Sequence, residues 1–164
     1  MRHLLITTAL ALTPYAATAE TQAERFETLT EDMTQVMWGM MATEAENAGG
    51  DGTAIRAAIG KFAWTDALDA ATTCVLDRYT TQIGSDGIDD LFDRMDRMIG
   101  EMDGMSITQF SEDIDPTELM PAGMTEAQSI EINEACGMAD AQLEMMEQTG
   151  FTAALIATMS QTAQ

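Results

Sequence analysis

The stretch QAERFETLTEDMTQVMWGMMATEAEN, residues 22–47, decides the fold class. Phe26, Leu29, Met33, Val36, Met37, Met40 and Met41 recur three or four residues apart, the spacing that lines side chains along one side of an α-helix. The acids Glu24, Glu27, Glu31 and Asp32 fall largely outside that stripe, where water would meet them. NAGGDG, residues 47–52, then stops the helix with the strongest turn chemistry in the chain.

The same period governs the rest. After the short piece TAIRAAIGKF, Thr65 is placed as an N-cap with Asp66 in the first turn, opening a helix that buries Leu68, Ala71, Val75 and Tyr79. Cys74 lies on the flank of that stripe. GSDG, residues 84–87, is expected to separate it from IDDLFDRMDRMIGEM, where Asp90 with Arg94 and Asp93 with Arg97 stand four apart in the favoured acid-first order. Ser106 opens a weaker helix through Ile107, Phe110 and Ile114. Asp115-Pro116 ends it, because the residue before a proline is pushed out of the α region.

PTELMPAGM, residues 116–124, reads as the longest irregular connection and a candidate mobile or partner-facing loop. Thr125 and Gln128 form a capping box whose helix would carry Ile132, Cys136, Ala139, Leu143 and Met146 on one stripe, with Cys136 toward the core. Ile130, Met138 and Met145 would occupy another side. Gly150 interrupts it, and Phe151, Leu155, Ile156 and Met159 make a last short helix. No segment reads as a strand, so the expectation is an all-α, single-domain bundle of about five or six helices.

That domain is expected over residues 20–164. MRH, LLITTALAL and AATA follow one another as the basic, apolar and small-residue parts of a secretory signal peptide over residues 1–19, cleaved near Ala19. The apolar run is too short to cross a hydrocarbon layer of about 30 Å, so export to a periplasmic or extracellular space is expected, with no membrane insertion after cleavage. Two cysteines in an oxidising compartment invite one disulfide, Cys74 to Cys136, which would bring the helix after Trp64 against the helix after Met124.

Charge and residue inventory narrow the function classes. Arg2 is the one basic residue inside the leader, so residues 20–164 keep six Lys and Arg against all 28 acids, a formal charge of −22. A field of that sign repels nucleic acid and anionic lipid. The single histidine, His3, leaves with the leader and Lys61 is the only lysine, so no Ser-His-Asp or Cys-His pairing is possible. Histidine-based zinc sites and phosphate-cradling glycine loops are missing too, and no cofactor is expected. NAGGDG and GSDG resemble calcium loops only superficially. In register with the EF-hand pattern, Ala58 stands where the bidentate acid belongs in the first, and Asp89 where an apolar residue belongs in the second.

What remains is methionine, 15 in the chain, most conspicuous in DRMDRMIGEMDGM at residues 93–105. Met95, Met98, Met102 and Met105 supply the apolar side of a helix, and because methionine repacks easily they also form a candidate docking face for an unidentified protein partner. Thioether sulfur is a soft ligand, so Met37, Met40, Met41, Met95, Met98 and Met102 form an alternative Cu(I)-binding set. A carboxylate enzyme is the third reading, with no pair of acids singled out among 28. A non-catalytic binding module is the leading expectation.

Overall fold

A computed structural model describes residues 20–162. The expected leader and its cleavage point lie outside the described residues, as do residues 163–164 of the expected domain. Seven α-helices and no strand occur among the described residues: α1 (Gln22–Asn47), α2 (Thr53–Ile59), α3 (Asp66–Met102), α4 (Ile107–Asp113), α5 (Glu126–Ala135), α6 (Met138–Thr149) and α7 (Phe151–Thr162). The all-α expectation holds, with more helices than the five or six the periodicity implied.

Four of the helices start on a side-chain cap. Thr21 and Glu24 close a reciprocal capping box at α1, Ser106 and Gln109 do so at α4, and Thr125 and Gln128 at α5, while Thr65 Oγ1 accepts from Leu68 N at α3. Each arrangement satisfies backbone N–H groups that the first turn leaves without helical partners.

The turn after α1 folds the chain back on itself. Gly52 is buried there, and a Cβ on it would sit 2.5 Å from the Ala42 carbonyl oxygen, so only glycine lets α2 start this close to α1. Arg56 closes the hairpin through Glu46 at 2.9 Å and the Thr43 hydroxyl at 3.1 Å.

In α3 the GSDG stretch does not form a separating loop. Gly84 alone leaves the helical region, at φ 72° and ψ 170°, and the chain resumes helix immediately, so two helical halves meet at a kink. That backbone region is essentially reserved for glycine. Asp90 pairs with Arg94 at 3.2 Å as expected, but the Asp93–Arg97 pair is not made among the described residues. Asp93 instead accepts from Arg25 of α1 at 2.6 Å, whose guanidinium lies 5.5 Å from the Phe92 ring centroid. A neighbouring helix supplied a partner that spacing along one helix cannot reveal.

The connection expected to be irregular and partner-facing is a packed one. Pro116–Leu119 form a 3-10 turn capped by Asp115, Arg94 Nη1 donates to the Met120 carbonyl at 3.0 Å, and Pro121 and Met124 are buried. Beyond it, the single helix expected from Thr125 to Met146 is two. Gly137 adopts a left-handed φ of 71° just after Cys136, and the helical phase restarts. The expected stripe therefore fails past the break: Ala139 and Leu143 are exposed, and Met138, Ala141 and Met145 are buried in their place.

Helices α1, α2, α3, α5, α6 and α7 enclose the main core. Trp38 of α1 stacks on Phe151 of α7 with centroids 3.9 Å apart, and Phe26 meets both Trp64 and Phe92. The buried Tyr79 hydroxyl shares a hydrogen bond with Ser129 at 2.8 Å and accepts from Asn133 at 3.0 Å, tying α3 to α5. The Cys74–Cys136 disulfide, with Cα atoms 5.7 Å apart, fastens the same two helices across 62 residues of chain. Chain entropy assigns a cross-link of that span about 4 kcal/mol as an upper figure. Among the described residues no helix is long and apolar enough to cross a membrane.

Candidate functional site

Several methionines of α1 and α3 meet in one place, and the helix period explains why. Met33, Met37 and Met40 stand at i, i+4 and i+7 on α1, and Met98 and Met102 at i and i+4 near the end of α3. Where the two stripes face each other, Met40, Met98 and Met102 form a buried cluster, separate from the main core. Met33, Met37 and Met105 pack around it, and Val36, Ile107, Phe110, Ile114 and Leu119 close the rest. Met105 arrives by a tight turn through Gly104, its N–H donating to the Met102 carbonyl at 3.0 Å.

This places the expected docking face inside the protein. Met95 retains 9 %, Met98 2 % and Met102 0 % of its surface, and Met105 alone of the four is only partly buried. The reason is that α1 and α4 both fold over this end of α3. The expected Cu(I) set is split. Met37, Met40, Met98 and Met102 meet in the cluster, whereas Met41 and Met95 belong to the main core. Met41 is one residue past Met40, about 100° around the helix, and so faces a different neighbour. Met33 and Met105 join the cluster without having been part of that set.

Two concavities adjoin these packing regions. One, about 380 Å³, is bordered by Gln35, Val36, Gly39, Met40, Thr43, Arg56 and the Asp103-Gly104-Met105 turn, so it reaches two of the clustered methionines. Gly39 faces this open space, since a Cβ there would meet nothing within 4 Å.

The other, about 290 Å³, lies between the end of α1, α2 and α7, with Ile107 of α4 on one side. Met41, Ala45, Ala48, Ile55, Leu155 and Met159 make it almost wholly apolar, and Glu44 is its one charged neighbour. Its polar residue, Thr158, is already engaged: Oγ1 donates to the Ala154 carbonyl at 2.9 Å, with the Asp51 carbonyl at 3.3 Å. Beside it, Ile156 and Met159 are 61 % and 62 % exposed, although both were expected on the packed side of their helix. Phe151, Ala154 and Thr158 are buried instead.

Sequence reasoning passed over this cleft. The available signal was that FTAALIATMSQT, the whole of α7, carries no charged residue in a chain holding 28 acids.

The carboxyls whose titration the fold displaces all move downward and all are exposed. The hydrogen bonds from Thr21 hold Glu24 below the usual range, those from Thr53 and Thr117 do the same to Asp51 and Asp115, and the Arg56 guanidinium lowers Glu46. These four are thus kept ionised, the opposite of what a general acid needs near neutrality. Among the described residues no three of His, Cys, Asp and Glu are placed to hold a metal ion. Compared with family models, curated proteins and solved structures, the chain matches none.

Proposed function

We propose that this chain is an exported, non-catalytic binding module whose docking face is the mostly apolar cleft of α1, α2 and α7 rather than the methionine face of α3. The disulfide and the lack of a spanning helix among the described residues are compatible with a periplasmic or extracellular location. The observation that carries the reading is the pairing of that apolar cleft with the exposed Ile156 and Met159 on a charge-free helix. Protein interfaces are depleted of charge at their centres and enriched in methionine, and here the rest of the surface is densely acidic.

The cleft, at about 290 Å³, falls just under the roughly 300–1,000 Å³ that small-molecule sites occupy, and it is open. Its size suits one or two apolar anchor side chains of a partner protein better than an enclosed metabolite. The carboxylate reading has less support, because the acids displaced by the fold are capping or ion-pairing groups on the surface.

Site-specific photo-crosslinking in the native compartment tests this. A crosslinker replacing Met159 should give a discrete adduct that one replacing Leu143, also exposed but on α6, does not, and Met159→Asp should prevent the complex. Identical adduct patterns from the two positions, or none from Met159, would discard the cleft as the docking face.

A further inference from the structure

None of the clustered methionines lines the α7 cleft. We propose that the pocket between α1 and the end of α3 binds one Cu(I) ion through the thioether sulfurs of Met40, Met102 and Met105, with Met37 and Met98 next to them.

Six thioethers from two helices and a turn meet in this cluster, whose buried centre is methionine alone; Met33 and Met37 also reach the main core. Thioether sulfur is a soft, neutral donor that suits Cu(I) and has little attraction for the hard cations that prefer oxygen. Methionine's three rotatable bonds let several sulfurs turn toward one ion without a change in backbone.

The ion also has a way in. The open depression beside Gly39 and Gly104 is bordered by Met40 and Met105, so two members of the cluster are reached from solvent. Met102 is the residue whose carbonyl holds Met105 in its turn, which keeps those two neighbours. Asp103 stands at the rim as a fixed negative charge, and the rim guanidinium of Arg56 is compensated by Glu46 at 2.9 Å. A chain of formal charge −21 raises the local concentration of any cation.

Neutral thioethers have no proton to release on binding, so the affinity should be flat with pH where thiolate, imidazole or carboxylate sites weaken on acidification. The processed protein, purified from its native compartment, is titrated without oxygen against Cu(I) held by bicinchoninate, at neutral pH and again about two units lower. It should withdraw one equivalent at both. Met40→Leu and Met102→Leu should each weaken binding by at least the roughly tenfold that even outer-shell changes cost a metal site. Met145→Leu, in the main core, should leave it unchanged.

Leucine for methionine nearly conserves volume, so these variants fold. A measurement on the unsubstituted protein stands beside them: with methyl-labelled methionine, Ag(I) should shift the Met40, Met102 and Met105 signals and spare Met138 and Met145. The proposal is overturned if the indicator keeps its copper, if binding survives both cluster substitutions, or if Ag(I) shifts methyls elsewhere instead.

Discussion

The two cores of this protein are built from different materials. The main core joins Trp38, Phe92, Phe151, Tyr79 and a set of leucines, isoleucines and alanines, and it lies beside the disulfide. The smaller core, at the junction of α1, α3 and α4, has Met40, Met98 and Met102 as its buried centre and no aromatic residue among those three. Aromatic and branched side chains have few rotamers and fix the helices that surround them, while unbranched methionines fill whatever space those helices leave. One region holds the helices by the shape of its side chains, and the other is filled by side chains that adapt, so substitutions in the two should be felt differently.

Phe92→Ala should have the largest effect. The side chain is fully buried and in contact with Phe26, so truncation should cost about 3–5 kcal/mol in a urea titration. A loss below that of an ordinary surface change would mean that this region does not carry the fold.

Met102→Leu sharpens the comparison from the other side. The residue is equally buried, yet a volume-conserving exchange should cost less than about 1.5 kcal/mol. The same variant is expected to lose Cu(I), so one substitution distinguishes a sulfur needed for packing from a sulfur needed for binding. A large loss of stability would show the small core to be as shape-specific as the main one.

The smallest effect lies at the start of α1, far from the methionine core. Glu24 has its carboxyl lowered from 4.5 by Thr21, so its favourable contribution is complete above that value and is lost as pH falls through the lower folded-state value. The difference in melting temperature between the wild type and Glu24→Gln should therefore be constant near neutrality and shrink on acidification. Self-repulsion among the other acids changes in both proteins alike and drops out of the difference. A gap that widens as pH falls would contradict the capping-box geometry.

How much was legible along the chain follows from the range of each interaction. The α1 stripe, the caps at Thr65, Ser106 and Thr125 and the Cys74–Cys136 pairing rest on spacing, local hydrogen bonding and parity, and all stand. The break at Gly137 was hidden because an isolated glycine within an apolar period is read as tolerated. One left-handed residue then turned Leu143 outward and Met138 inward. Arg25 took Asp93 from Arg97 because the competing cation is 68 residues away in sequence. The candidate sites fared alike: methionine spacing identified five of the six clustered sulfurs, all but Met33, but whether those faces were buried was not a property of either helix alone.

Helical character, acidity and the cysteine pairing were legible along the chain, because periodicity, charge and residue inventory are local or additive. Which apolar stripes meet was settled by packing across the whole chain. It turned the methionines of α3 inward against α1 and left Ile156 and Met159 of the uncharged α7 facing out. A stripe specifies that something must cover it, and the covering element is selected by the packing of the whole chain.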